Sequence, residues 1–103
     1  MKDDEAKLKA EILKALAHPV RLKIVDELSR GDKCACEMIK IAGVDVSVLS
    51  RHMAQLKNTG IVSEQKKGVR VYYHIACPCI LQALECTVGV LKSRADKIKK
   101  MVR

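Results

Sequence analysis

The spacing of apolar residues changes once along this chain, at Gly60, and that change limits the fold. Before Gly60 the intervals are helical. Leu8, Ile12, Leu13 and Leu16 fall at i, i+4, i+5 and i+8, the stripe of an amphipathic helix expected over about 6–17. Pro19 stops that helix and can open the next at its first position. Val20, Ile24, Val25 and Leu28 form the second stripe, closed by Gly31. A short helix is expected from Cys34 to Ala42, ended by Gly43. A turn then leads to Ser47 as N-cap of a longer helix reaching Asn58, with Leu49, Met53 and Leu56 inward. After Gly60 the period becomes two. Val69, Val71, Tyr73 and Ile75 alternate with Arg70, Tyr72 and His74, which predicts a strand. Ile61 to Gln65 supplies its partner and Lys66-Lys67-Gly68 the turn. Pro78 opens a last helix, about 78–100, striped by Ile80, Leu81, Leu84, Val88 and Leu91.

Short helix, turn and longer helix over about 34–60, then a two-stranded wing over about 61–75, is winged helix-turn-helix grammar. The expected fold class is mainly α with a two-stranded β wing, an α+β chain forming a single domain over 1–103. A domain this small buries only about 60–65% of its unfolded surface. Its first and last helices are therefore expected to pair with those of a second copy, making a homodimer.

Charge selects the partner. Twenty Lys and Arg stand against twelve Asp and Glu, a net charge of +8. Such an excess calls for an acidic partner, and nucleic acid is the first candidate. Phe and Trp are absent and Tyr occurs twice, which argues against a stacking platform for single strands. Duplex DNA fits better. On the longer helix, Ser47, Val48, Ser50, Arg51, His52 and Gln55 lie opposite Leu49, Met53 and Leu56 or flank the exposed face. Small side chains permit close approach to the major groove; Arg favours guanine, Gln adenine, and a valine methyl the thymine methyl. Lys66, Lys67 and Arg70 at the wing would contact phosphates, and Tyr72 and His74 are expected to pack or solvate. The run Lys92–Arg103, six basic residues and one acid, reads as a solvated helix end.

Four segments carry a family resemblance. Ala15-Leu-Ala-His-Pro-Val-Arg-Leu-Lys-Ile-Val25, Leu49-Ser-Arg-His-Met-Ala-Gln-Leu-Lys57, Thr59-Gly-Ile-Val62 and Gly68-Val-Arg-Val-Tyr-Tyr73 resemble the ArsR/SmtB metalloregulators over about residues 8–92. The resemblance implies a homodimeric repressor of palindromic operators. Such repressors leave DNA on binding a metal ion, a metalloid or, in some members, a reactive sulfur species.

The cysteines bear on which effector applies. There are five, an odd number that does not resemble a disulfide framework. Cys34-Ala-Cys36 resembles the Cys-Val-Cys signature of the family's arsenite and cadmium/lead sensors. The third cysteine of arsenite sensors would fall at Ile39, and no cysteine precedes Cys34, so this cluster offers two thiols per chain. Cys77 and Cys79 fall where the family's zinc sensors carry Asp and His. The remaining zinc ligands would fall at Val90 and Ser93, so that site is not expected, and thiols favour softer ions. Cys86 follows Cys79 by seven residues. On one straight helix that is about 10.5 Å along the axis, whereas thiolates sharing a metal lie within about 4.6 Å. Either the helix start folds back or Cys86 comes from the partner subunit.

A three-thiolate set of Cys77, Cys79 and Cys86 suits trivalent arsenic or antimony and tolerates cadmium or lead. Lys33 and Lys40 beside Cys34 and Cys36 favour thiolate, which equally suits a redox or persulfide sensor. His18 is expected to cap the second helix, and His52 belongs to the reading helix, so neither is a strong metal ligand; Asp32 and Glu37 are expected to cap or solvate a helix start. An enzyme is not expected: there is no Cys-x-x-Cys and no anion-binding loop. No obligatory cofactor is implied. The charged N-terminal stretch and the lack of a long apolar run predict a cytoplasmic chain with no membrane partner.

Overall fold

A computed structural model describes residues 1–102. Helix α1 spans Asp3–Leu16 and α2 Pro19–Leu28. Asp3, Asp4 and Glu5 in the first turn of α1 complement its dipole, which carries the helix earlier than its apolar stripe indicates. His18 caps α2 as expected: its Nδ1 accepts the Val20 N–H at 3.1 Å, with Pro19 in the first turn.

Strand β1, Lys33–Cys34, leads into α3, Ala35–Ala42. Cys34 is thus the N-cap of α3 rather than its first residue. Its Sγ accepts the Glu37 N–H at 3.4 Å, and Glu37 accepts the Cys34 N–H at 3.3 Å, a reciprocal capping box. Gly43 ends α3 at φ +67°, a conformation that costs glycine least.

Helix α4 spans Val46–Asn58, and its N-cap is Asp45, not Ser47. The Asp45 carboxylate accepts the Val48 N–H at 3.1 Å and the Ser47 hydroxyl at 2.9 Å. A carboxylate answers both the free N–H groups and the positive helix end, so it displaces the serine. These bonds, the Val48 one first, hold the Asp45 carboxyl below its ordinary range.

Strands β2, Val62–Lys67, and β3, Arg70–Ile75, form the hairpin, from Val62 opposite Ile75 to Lys67 opposite Arg70. The sheet has three strands, not two, in the order β1-β3-β2; Lys33 pairs with Tyr73 and Cys34 with Tyr72. The short β1 covers the free edge of β3 at the base of the wing.

Helix α5 spans Ile80–Met101, two residues later than Pro78 led us to expect. The Ile80 N–H bonds to the Cys77 carbonyl and the Leu81 N–H to that of Pro78, a turn leading into the helix. The core joins Ile24, Val25 and Leu28 of α2, Met38 of α3, Leu49, Met53 and Leu56 of α4, and Ile61, Val62 and Tyr73 of the wing base. Helix α5 contributes no buried residue; only Ile80, Leu81 and Leu84 lean on the core. Among the described residues no helix is long and apolar enough to cross a membrane.

Candidate nucleic-acid interface and thiol sites

Leu49, Met53 and Leu56 are buried, and they fix which face of α4 looks outward. Ser47, Ser50, Arg51 and Gln55 are exposed, and Val48 and His52 are half-buried. Val48, Arg51, His52, Ala54 and Gln55 line an open cavity of about 420 Å³ together with Arg21 of α2. The sequence reading passed over Arg21, which donates from Nε to His52 Nδ1 at 3.0 Å. Nothing in its spacing distinguishes it from a solvated basic residue.

Burial, and then the electrostatics of the adjacent His18 ring and of the Arg21 and Arg51 cations, hold the His52 imidazole below its ordinary value of 6.5. A histidine with a lowered folded value favours the neutral fold. Its contribution is complete above the unfolded value and is lost as pH falls through that value toward the folded one. The stability difference between wild type and His52→Gln should therefore shrink as pH falls below the ordinary histidine value of 6.5. Urea unfolding at each pH measures it; a difference that stays constant or widens refutes it.

Lys66, Lys67 and Arg70 are exposed on the wing, which turns at Gly68 with φ +64°. Lys67 Nζ lies 5.2 Å from the centre of the Tyr72 ring. Tyr72 is half-buried, Tyr73 is buried, and exposed His74 pairs with Asp32 at 2.7 Å. Asp32 therefore braces the wing base rather than capping α3. Lys57, late in α4, pairs with Glu64 of β2 at 2.7 Å and ties the helix to the wing.

The expectation of five unbridged thiols does not hold. Cys34 and Cys36 are joined by a disulfide, their Cα atoms 5.3 Å apart. The extended Cys34 turns into the helix and brings the two side chains within bridging range. This pair lines a cavity of about 250 Å³ with Val69, Arg70 and Val71 of the wing. Cys77 and Cys79 are free, with Sγ atoms 3.3 Å apart. Their hydrogen bond, and then burial, push the Cys77 thiol above its ordinary value. Cys86 is free and exposed on α5. Among the described residues no three His, Cys, Asp or Glu side chains gather as a metal site within one chain. Cys77 and Cys79 are brought together; Cys86 is not brought to them.

Comparison with known proteins agrees with this architecture. The model of the family described as "Bacterial regulatory protein, arsR family" matches residues 18–64, which hold α2, α3, α4 and the start of the wing. The uncharacterized HTH-type transcriptional regulator Rv0081 of Mycobacterium tuberculosis is 36% identical over 86 residues, 82% of this chain and 75% of that protein. The chain belongs to the ArsR family. The crystal structure of Rv0081 superposes with a TM-score of 0.81 at 32% identity, covering 94% of this chain and 99% of that one. The homodimeric winged helix-turn-helix DNA-binding domain Mb0332 of Mycobacterium bovis superposes with a TM-score of 0.76 at 26% identity, covering 94% and 93%. The arsenical resistance operon repressor of Staphylococcus xylosus is 38% identical over 64 residues, 62% of each chain. This ArsR-family chain is thus a winged helix-turn-helix protein whose relatives are transcriptional regulators and repressors.

Proposed function

We propose that this ArsR-family protein is a homodimeric repressor that binds duplex operator DNA. Release comes from a thiophilic metalloid, trivalent arsenic or antimony, bound by cysteine thiolates; cadmium and lead fit the same thiols. The DNA reading is carried by α4, whose apolar side is locked into the core while Ser47, Val48, Ser50, Arg51, His52 and Gln55 are left on or beside the outer face. Lys66, Lys67 and Arg70 add phosphate contacts from the wing. Two copies would set their reading helices in successive major grooves about 34–36 Å apart.

The effector reading rests on Cys77 and Cys79, whose Sγ atoms already stand at chelating distance beside the start of α5. Trivalent arsenic uses three sulfurs, and Cys86 of the partner subunit is the third donor we assign. A second reading, release by an oxidant or a reactive sulfur species, is favoured by the Cys34–Cys36 disulfide beside the wing.

Selection of binding duplexes from a randomised pool tests the DNA reading. Arg51→Ala should lose roughly ten- to a hundredfold for the selected duplex, by weakening base contacts. The Lys66, Lys67 and Arg70 triple alanine variant should weaken all duplexes alike and flatten the salt dependence, its log–log slope by about 2–3. Equal wild-type affinity for selected and random duplex at moderate salt would overturn the proposal.

A further inference from the structure

One histidine of α4 already has a ring nitrogen committed inside the protein. Arg21 donates from Nε to His52 Nδ1 at 3.0 Å and from Nη1 to the Ala15 carbonyl at 3.2 Å. An arginine side chain holds only donors and stays protonated. His52 Nδ1 is therefore the acceptor and bears no proton, so a neutral ring carries its proton on Nε2. The His18 ring, centred 4.4 Å from that of His52, is fixed in the same tautomer by the Val20 N–H on its own Nδ1. The Arg21 bond requires an unprotonated Nδ1, and burial together with the Arg21 and Arg51 charges favours the neutral ring. Its ring lines the cavity that Val48, Arg51 and Gln55 share on α4.

We propose that Arg21 is a positioning residue for sequence recognition, holding His52 as the Nε2–H tautomer so that this N–H donates to a base-edge acceptor such as guanine N7 or O6. The proposal rests on the reading of α4 as the DNA-contacting helix. His52 is then a neutral, directional donor and not another phosphate contact. A protonated ring would lose the Arg21 bond and stand as a further cation beside Arg21 and Arg51. The same guanidinium holds a carbonyl in the last turn of α1, where helix carbonyls lack an intrahelical donor. Arg21 thereby ties the end of α1 to the reading helix.

Two measurements on the whole chain test this. Long-range proton–nitrogen spectra of histidine-labelled protein report the tautomer. Wild-type His52 should be Nε2–H, and Arg21→Met should give a mixture while His18 stays unchanged. An Nδ1–H wild-type His52 overturns the proposal. The second measurement is affinity for every single-base variant of a duplex selected from a random pool. Arg21→Met should lose about tenfold of discrimination at one base pair per half-site, about one hydrogen bond. Discrimination elsewhere and affinity for random duplex should stay within twofold, and Arg21→Lys, which keeps a donor, should recover part of the loss. An unchanged profile, or equal loss at every position, overturns the proposal. A wild type that selects no sequence removes the reading of α4 and this proposal with it; the tautomer spectrum separates that failure from one at Arg21.

Discussion

The Cys77→Ser, Cys79→Ser double variant should stay on its operator at a hundred times the arsenite concentration that releases the wild type. The two Sγ atoms stand 3.3 Å apart before any ligand arrives, so chelation there needs little rearrangement. Ligation must displace thiol protons, which the raised Cys77 value makes harder at low pH and easier as pH rises. Serine keeps nearly the same shape but offers a hard oxygen that a soft metalloid ion binds poorly. The turn into α5 relies on backbone bonds from Ile80 and Leu81, which serine leaves in place. A hundredfold release of DNA requires about 2.7 kcal/mol of coupling, within the usual range for linked sites. Fluorescence anisotropy of operator DNA, titrated with arsenite under reducing conditions, measures the effect. The Cys34→Ser, Cys36→Ser variant is the control and should still respond to arsenite. The reverse pattern would move the effector site to the start of α3. Subunits lacking Cys77 and Cys79, mixed with subunits carrying Cys86→Ser, should recover one site per dimer if Cys86 acts across the interface.

The elements that the sequence revealed are those whose apolar residues repeat several times. Leu49, Met53 and Leu56 define α4, and Val71, Tyr73 and Ile75 define β3, because each pattern spans at least two periods. Strand β1 has two residues, Lys33 and Cys34, too few to show alternation, and exists because β3 offers it an edge. Asp45 and Ser47 are both good caps, and only the backbone decides between them. The candidate site divides the same way. The outward set on α4 follows from its periodicity. The Arg21–His52 bond joins residues 31 apart in sequence and leaves no periodic trace. The Cys34–Cys36 bridge depends on the chain turning from an extended residue into a helix between the two sulfurs.

Replacing Leu8 and Leu91 together by glutamate should leave the fold intact and reduce operator affinity at least a hundredfold. Both are exposed in the single chain, at 61% and 55%, so their charge meets water rather than core. Glutamate and leucine have similar helix propensity, so α1 and α5 should persist. On α5, Leu84 leans on the core, but Val88, Leu91 and Ile98 continue its apolar side and are exposed within the chain. That stripe lacks a partner within the chain, and a second copy would set the same stripe against it across a symmetric interface. Each leucine buried there contributes roughly 1.5–3 kcal/mol, and symmetry doubles the count. Four charges introduced into one apolar seam cannot be desolvated without pairing. A monomer then holds one half-site, and the lost second contact removes roughly 10²–10⁴ in affinity. Sedimentation should show the variant at 11.4 kDa and the wild type at twice that mass. Affinity for an isolated half-site should be unchanged, since Ser50, Arg51 and Gln55 lie on another helix. A variant that remains dimeric would place the interface elsewhere, and a wild type that is monomeric at micromolar concentration would leave these stripes without a role in DNA binding.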